Sequence, residues 1–277
     1  MEKSVMRLGH SPDADDAFMF YAIANNRVVS DRIDFVHVIE EIQSLNKRAL
    51  EGQLEVTAIS AHTYTYVADR YRILSCGASM GEGYGPIVVA RRDIKDLSGK
   101  RVGIPGKLTT AFLLLSIYAS GFIPVEMPFD RVMSAVMDEE VDAGLIIHEG
   151  QLTYRDFGLR VVFDLGGMWA SDTSLPLPLG INVVRRDIEE ELQKEVLRVH
   201  RESIDYGLSH KDEALEYALR FGRGISGELG ERFVLMYVNE YTRDMGERGK
   251  RALEVLFKRA SEKGILKKDI PLDVLEG

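Results

Sequence analysis

The sequence of 277 residues is long enough for about two domains. Its 45% hydrophobic and 29% charged residues are typical of a folded globular protein, not of a disordered or fibrous one. The net charge of −9 disfavours binding to nucleic acids and to anionic membrane surfaces, because both carry negative charge. The single cysteine, Cys76, excludes an intramolecular disulfide and a cysteine-based zinc site.

The amino terminus carries charged residues from its second position and has no apolar run of signal-peptide length. No stretch approaches the ~20 apolar residues that a membrane-spanning helix needs. We therefore expect a cytoplasmic protein whose partner is a small molecule, and not a nucleic acid or a membrane. The composition does not indicate an oligomeric state.

Short apolar runs alternate with helical patterns along the first part of the chain. Strands are predicted at residues 5–9, 33–38, 56–60, 71–76 and 87–91. Helices are predicted at residues 13–25, 42–51 and 62–69. This alternation of strands and helices predicts a mostly parallel sheet covered by helices.

A second unit begins near residue 93 and has the same alternation. Its predicted strands are 101–104, 126–129, 143–148 and 160–163, and its predicted helices are 109–120 and 131–140. Residues 175–179 contain two prolines and, with an extended strand at 180–185, are predicted to cross back to the first unit. Helices are then predicted at 187–208, 211–220, 228–241 and 247–263, separated by Gly222, Gly227, Gly246 and Gly264.

This order predicts an α/β protein with two lobes and a central cleft. The first lobe comprises residues 1–92 and 176–277, and the second lobe, residues 93–175, is inserted into it. Two chain crossings between lobes make a hinge, and small ligands bind preferentially between domains and beyond the carboxyl ends of strands. The loops that follow strands are therefore the places to look for a site.

Three acids follow the first predicted strand, in Ser11-Pro-Asp-Ala-Asp-Asp16. Ser11 suits a helix N-cap, proline suits the first helical position, and aspartates complement the positive end of a helix. Capping explains one or two acids, whereas this segment has three. We therefore predict that Ser11 and Asp15 contribute to a ligand site. A metal site here is only weakly supported, because no partner motif occurs elsewhere.

Two further strand-to-helix junctions are candidates for anion binding. Ser60 follows Ala58 and Ile59 at the end of a strand, and it either caps the next helix or donates its hydroxyl, with neighbouring N–H groups, to a carboxylate. Thr109 and Thr110 open an apolar helix, where capping needs only one hydroxyl and the helix end offers unpaired N–H groups. The carboxylate of a small molecule is the expected ligand at both.

His148 closes the apolar strand predicted at 143–148, at the edge where a cleft is expected. A neutral histidine there can take a proton near pH 7 and act as a general base. The alternative is a core histidine whose hydrogen bonds are satisfied by the protein. Glu149 either orients the ring or begins the next turn. The alternating glycines from Gly81 to Gly85 are predicted to form a loop near the hinge, since they lack the spacing of a dinucleotide-binding motif.

Several segments together resemble the 1,4-dihydroxy-6-naphthoate synthase family, which belongs to menaquinone biosynthesis by the futalosine pathway. They are Ser11-Pro-Asp-Ala-Asp-Asp-Ala-Phe-Met-Phe-Tyr21, Gly106-Lys-Leu-Thr-Thr110, Gly144-Leu-Ile-Ile-His-Glu149, Leu175-Pro-Leu-Pro-Leu-Gly180 and Tyr237-Val-Asn-Glu-Tyr241. The resemblance covers nearly the whole chain, and the histidine segment is its most specific part. It implies the two-lobed fold of type II periplasmic binding proteins.

The resemblance also implies a function. It is that of a lyase that acts on cyclic dehypoxanthinylfutalosine and releases 1,4-dihydroxy-6-naphthoate after proton abstraction in the cleft. His148 matches the catalytic base of the family, and Ser60 with Ala58 and Ile59, as well as Thr109 with Thr110, match its substrate-binding segments. Because formation of an aromatic ring drives the reaction, neither a metal nor a redox cofactor is expected.

One departure concerns the first motif, which in the family often reads Ser-Pro-Cys-Pro-Asn-Asp. The acids Asp13 and Asp15 of this chain add negative charge beside a carboxylate substrate, which leaves the substrate's exact identity open. Two alternative functions also remain open. One is a non-enzymatic solute-binding protein for small carboxylates, and the other is the chorismate dehydratase of the same pathway.

Overall fold

The computed structural model describes residues 2–221, 227–266 and 270–277. Within them the strands are, in chain order, β1 (Ser4–His10), β2 (Ile33–Ile39), β3 (Val56–Ser60), β4 (Tyr71–Leu74), β5 (Ser79–Gly81), β6 (Ile87–Ala90), β7 (Arg101–Ile104), β8 (Ile123–Glu126), β9 (Ala143–Ile146), β10 (Arg160–Asp164), β11 (Leu177–Arg185) and β12 (Val274–Leu275). Gly222, predicted to separate two helices, lies outside the described residues.

The α-helices of the same residues cover the sheets. They are α1 (Ala14–Ala24), α2 (Ile42–Leu50), α3 (Ala61–Val67), α4 (Thr110–Tyr118), α5 (Val132–Met137), α6 (Gly150–Thr153), α7 (Leu165–Thr173), α8 (Glu190–Ser209), α9 (Lys211–Leu219), α10 (Gly227–Tyr237), α11 (Glu240–Arg243) and α12 (Gly246–Glu262). Single 3-10 turns at Phe129–Arg131 and Tyr154–Phe157 precede α5 and β10.

The strands form two sheets, as the predicted α/β class requires. The first sheet has the strand order β12-β4-β11-β3-β1-β2, with β5 also paired to β11. The second has the order β10-β6-β9-β7-β8. The chain therefore passes between the sheets twice, once between β5 and β6 and once between β10 and β11. The glycines from Gly81 to Gly85 lie at the first crossing.

The first sheet is mixed, whereas the sequence predicted a mostly parallel one. β1 pairs in parallel with β2 and β3, but β11 runs antiparallel to β3, β4 and β5 in the middle of the sheet. β11 follows β10 of the other sheet through α7, so no βαβ crossover joins it to the preceding strand within one sheet. The rule that makes consecutive βαβ strands parallel therefore does not apply to it.

The sequence analysis placed residues 87–91 in the first lobe, but this strand lies in the second sheet. β6 pairs antiparallel with β9 and β10. All four of its residues are buried, and a uniformly apolar strand gives no sign of which sheet it joins. We therefore propose that the second lobe begins between β5 and β6, and not at residue 93.

Other elements also differ from their predictions, and β5, α6 and β12 were not predicted. The strand predicted at 126–129 lies at Ile123–Glu126, ahead of Pro128. The helix predicted at 228–241 is divided in two, because the Asn239 side chain caps α11 in a capping box with Thr242. Helix α7 was not predicted at all, and its first turn is capped by Asp164.

The two lobes are packed against each other. Leu113 and Leu114 of α4, from the second lobe, are fully buried in one hydrophobic cluster with Ile59 and Ile181 of the first lobe. α4 also contacts α3 and β11. This packing places the amino terminus of α4 at the boundary between the lobes. None of the helices in the described ranges combines the length and apolar character needed to cross a bilayer.

Candidate active site

A cavity of about 110 Å³ lies between the lobes, where β1, β3, β7 and β9 end. Seven of the eight residues proposed from the sequence line it, namely Ser11, Asp15, Ala58, Ile59, Ser60, Thr109 and Thr110. The eighth, His148, does not belong to the lining, although its neighbour Ile147 does. The strand-to-helix junctions identified in the sequence therefore converge on one site.

The acidic segment after β1 forms part of the first lobe's wall. The Ser11 amide donates to Asp16 Oδ2 at 2.7 Å, and the Ser11 hydroxyl donates to Asp13 Oδ2 at 2.9 Å. Asp13, and not Ser11, occupies the N-cap position of α1. These contacts explain Ser11, Asp13 and Asp16 as parts of a rigid turn. Asp15 differs from them, because among the described side chains only Ser79 donates to its carboxylate, at the long distance of 3.4 Å.

Burial makes these carboxyl groups weak acids. It raises the pKa of Asp16 to about 7, against the opposing effect of the Ser11 amide, which favours the charged form. Burial also raises the pKa of Asp15 well above its usual value, and the negative charges of Asp16, Asp13 and Glu149 add to this rise. Burial and the neighbouring negative charges therefore favour the protonated form of Asp15.

Ser60 is held by a side chain that the sequence analysis did not single out. The Asn46 amide group donates to Ser60 Oγ at 3.0 Å, and the Ser60 N–H donates to Asn46 Oδ1 at 2.9 Å. The Ser60 side chain makes no capping hydrogen bond to α3. Its hydroxyl proton is therefore available to a ligand in the cavity, and Asn46 fixes the direction in which it points.

The two threonines at the start of α4 use their hydroxyls within the protein. Thr109 Oγ1 donates to the Gly106 carbonyl at 2.8 Å and caps the Phe112 N–H. Thr110 Oγ1 donates to the Leu179 carbonyl at 2.6 Å, in the other lobe. The expected hydroxyl contacts to an anion are thus replaced by a cap and a bridge between lobes.

The backbone of α4 nevertheless offers an anion-binding site. The first N–H groups of a helix have no partner within the helix, and those of Thr110 and Ala111 have none elsewhere among the described residues. Both residues line the cavity. Together with the positive end of the helix dipole, these two N–H groups form what we call the α4 seat.

His62 joins the lobes beside this seat. Its N–H donates to Thr110 Oγ1 at 3.2 Å, and its ring Nδ1 donates to the Thr109 carbonyl at 3.3 Å. Burial lowers the pKa of His62 to about 4, so the ring is neutral. Its role in this arrangement is structural.

The ring of His148 lies against Phe129, and both of its nitrogens are occupied. Nε2 lies 3.2 Å from the Phe129 carbonyl, which can only accept, and Nδ1 accepts the Gly150 N–H at 3.1 Å. These partners fix the tautomer with the proton on Nε2. Glu149 Oε2 lies 3.6 Å from Nδ1, too far for a hydrogen bond. The ring thus has no free lone pair in this conformation.

Three polar residues near the cavity were not proposed from the sequence. Asn182 of β11 lines the cavity and is 1% exposed, and its Oδ1 has no hydrogen-bond partner. Tyr237 of α10 also lines it and donates its hydroxyl to Gln151 Oε1 at 3.0 Å. In the sequence, Asn182 could have been noticed as a lone polar residue in an apolar strand. For Tyr237 the signal was the segment Tyr237-Val-Asn-Glu-Tyr241.

Within residues 2–221, 227–266 and 270–277, no group of three or more His, Cys, Asp or Glu side chains is arranged to hold a metal ion. The acidic turn after β1 is thus held by its own hydrogen bonds.

Known proteins resemble this chain over nearly its whole length. A protein named 1,4-dihydroxy-6-naphthoate synthase from Thermus thermophilus is 45% identical over 260 residues, which cover 94% of this chain and 95% of that protein. A protein of the same name from Streptomyces coelicolor is 33% identical over 273 residues, or 96% of each chain.

Solved structures agree with the fold described above. A crystal structure from Archaeoglobus fulgidus is 53% identical, covers 94% of this chain and 98% of its own, and superposes with a TM-score of 0.91. The alkanesulfonate-binding protein SsuA of Xanthomonas axonopodis is only 12% identical but covers 99% of both chains with a TM-score of 0.75. The predicted fold class, that of periplasmic binding proteins, is confirmed. The sequence model of the menaquinone biosynthesis family matches residues 6–262, and this chain therefore belongs to that family.

Proposed function

We propose that this protein is a 1,4-dihydroxy-6-naphthoate synthase, the name that its Thermus and Streptomyces relatives carry. The reaction is the release of 1,4-dihydroxy-6-naphthoate from cyclic dehypoxanthinylfutalosine by cleavage of a carbon–carbon bond. The observation that carries the proposal is the cavity between the lobes, in whose wall the N–H groups of the α4 seat have no partner among the described residues. Such a site suits a small organic acid.

The carboxylate of the substrate binds at the α4 seat. The N–H groups of Thr110 and Ala111 donate to its oxygens, and the Ser60 hydroxyl supplies a further donor in the same cavity. Hydrogen bonds to an ionised acceptor are about twice as strong as neutral ones. The apolar parts of Ile59, Ile147 and other lining residues cover the ring.

Entry of the substrate requires the lobes to separate. The cavity of about 110 Å³ is smaller than the roughly 300–1,000 Å³ of pockets that hold drug-sized ligands. The bridges from His62 to Thr109 and from Thr110 to Leu179 break on opening and form again around the substrate. Closure then excludes water and strengthens the hydrogen bonds to the carboxylate.

His148 serves as the base in a rearranged turn. Because Nδ1 accepts the Gly150 N–H in the enclosed state, the ring gains a free lone pair only when the turn at Glu149 and Gly150 moves away from it. A substrate that binds next to Ile147 displaces this turn. The freed nitrogen then removes a proton from the substrate, and the developing aromatic ring drives the carbon–carbon cleavage.

Incubation with cyclic dehypoxanthinylfutalosine tests the function directly. Mass spectrometry is expected to show 1,4-dihydroxy-6-naphthoate only when the protein is present. Unchanged substrate after long incubation with folded protein contradicts the proposal, and tight binding without turnover assigns a solute-binding protein instead. Chorismate, offered in parallel, is expected to remain intact, and its dehydration would assign the sister enzyme of the pathway.

A further inference from the structure

The wall of the cavity that carries Asn182 contains a polar atom that the protein does not use. The Asn182 amide group donates to the Gly77 carbonyl at 2.8 Å, which fixes the orientation of the side chain. No group of the described residues donates to its Oδ1, although the residue is 99% buried and lines the cavity. A buried acceptor without a donor destabilises the folded state. A donor group on a bound ligand resolves this deficit.

Asp15 lines the same cavity and is similarly uncommitted. Its only hydrogen bond from another side chain is the long contact with the Ser79 hydroxyl. The charged groups that act on it are Asp13 and Asp16 from its own turn and Glu149 from the second lobe. Tyr237 of α10 also lines the cavity, and the charge of Asp15 contributes to the raised pKa of its hydroxyl. Burial and these negative charges favour the protonated carboxyl group, which has one donor and one acceptor.

We propose that Asp15 and Asn182 form a hydroxyl-binding subsite that selects aryl carboxylates bearing a hydroxyl group away from the carboxylate. This subsite rests on the proposed function, which places the carboxylate at the α4 seat. The ligand hydroxyl donates to Asn182 Oδ1 and accepts from the Asp15 carboxyl. Both partners are found in one cavity, and a hydroxyl is the simplest group that donates and accepts at the same time.

The subsite also rejects a second anion. A ligand carboxylate in place of the hydroxyl would face Asn182 Oδ1, which cannot donate, and the charges of Asp13, Asp16 and Glu149. Unpaired charge and like charges at close range lower affinity. The protein thus distinguishes the two ends of its ligand. N–H donors at the α4 seat face one end, and the Asn182 Oδ1 acceptor, beside the carboxyl group of Asp15, faces the other.

Three matched ligands test the subsite by titration calorimetry at pH 7. They are 3-(hydroxymethyl)benzoate, 3-methylbenzoate and isophthalate, which share a benzoate and differ in one substituent. The hydroxymethyl compound is expected to bind about three- to tenfold more tightly than the methyl compound, the worth of one or two hydrogen bonds. Isophthalate is expected to bind most weakly.

Variants identify the residue responsible. In Asp15→Ala, the ratio of the two dissociation constants, methyl over hydroxymethyl compound, is expected to fall to nearly one. Asp15→Asn keeps a donor and an acceptor and is expected to retain the ratio of the parent protein. Asp13→Asn, which removes a charge from the same turn, serves as the matched control and is expected to retain it too. Thermal melting confirms that each variant is folded.

Equal binding of the hydroxymethyl and methyl compounds to the parent protein overturns the subsite and leaves the proposed function intact. A hydroxyl preference that survives Asp15→Ala also overturns the assignment to Asp15. If none of the three ligands binds and the lyase assay is also negative, both the subsite and the proposed function fail together. Lyase activity together with equal binding of the hydroxymethyl and methyl compounds therefore supports the proposed function and rejects the subsite.

Discussion

Helices α1 and α4 both begin at the cavity, yet their amino termini are built in opposite ways. At α1 the chain supplies its own anions, and Asp13 and Asp16 are tied to Ser11 in a rigid turn. At α4 the Thr109 hydroxyl caps a single N–H, and those of Thr110 and Ala111 stay open to the cavity. Both termini carry the positive end of a helix dipole.

The amino terminus of a helix can bind the anion of a ligand only where no side chain of the protein already occupies its N–H groups. At α1 that end is already neutralised by the acids of the turn, and the adjacent wall carries carboxyl groups and not free N–H donors. At α4 the wall remains one of donors. The cavity therefore has two chemically different sides. The following substitutions test what each side, and the closure between them, contributes.

The largest effect is expected for His148→Asn, which tests the proposed base beside the cavity. The Oδ1 of an asparagine accepts the Gly150 N–H as Nδ1 does, so the turn is preserved, but an amide does not take a proton near pH 7. We expect kcat to fall by about 10²–10⁴-fold with little change in KM. Steady-state kinetics measures both constants.

The exposed histidine His210, replaced by asparagine, is the control for this experiment and should leave kcat unaltered. Near-parental kcat in the His148→Asn variant shows that the ring has only a structural role, and the base must then be sought elsewhere in the cavity.

Ala111→Asp makes α4 resemble α1 and is expected to have the next largest effect. Ala111 is 3% exposed and lines the cavity, so a carboxylate there occupies the α4 seat and repels that of the substrate. We expect kcat/KM to fall by about 100-fold, in the range of a few kcal/mol for unpaired or opposed charges. Ala111→Ser adds a small neutral group and is expected to cost far less. Equal losses in the two variants would show that size, and not charge, matters at this position.

Gly106→Ala weakens the closed state without touching either side of the cavity. A Cβ at this position would lie 2.2 Å from Gln43 Oε1, which belongs to the other lobe and accepts the Leu108 N–H at 3.3 Å. We expect KM to rise by about tenfold, because closure no longer stabilises the bound substrate fully. Gly99→Ala shares the strained positive φ but meets nothing within 4 Å. If KM rises equally in both variants, backbone strain is the cause and closure is not.

The last expected effect concerns stability and not turnover, and it tests the acidic side alone. The pKa of Asp16 is about 7 in the folded protein and about 4 in an unfolded chain. The folded state therefore holds the proton more tightly, and this group makes unfolding easier as pH rises from about 4 to about 7. Asp16→Asn should raise the free energy of unfolding by about 1–3 kcal/mol at pH 8 relative to its effect at pH 5. Urea denaturation at pH 5 and pH 8 measures the free energy of unfolding of both proteins. An increase of the same size at the two pH values contradicts the raised pKa.

The sequence predicts the junctions of the site because strand-to-helix transitions are local. Ser11, Ser60 and Thr110 each follow a short apolar strand, and the carboxyl ends of such strands meet at one edge. Helix α7 was missed because Gly166 and Gly167 have poor helix propensity. Its stability comes from the Asp164 cap and the fully buried Trp169, which depend on the folded chain.

The orientation of a side chain is harder to predict than its position. His148 does follow an apolar strand, but that strand ends at Ile146, and it is Ile147 that lines the cavity. Neighbouring residues of an extended segment point to opposite sides, so the ring turns towards Phe129 instead. Asn182 reaches the cavity from β11, and only the order of strands in the sheet places it there.

We propose above that the α4 seat binds the carboxylate of an aromatic acid between the lobes. The most direct test is a crystal structure of the protein with 1,4-dihydroxy-6-naphthoate. We predict that its carboxylate oxygens lie about 2.7–3.2 Å from the backbone nitrogens of Thr110 and Ala111. A carboxylate bound away from α4, with those two N–H groups still unpartnered, would contradict the account.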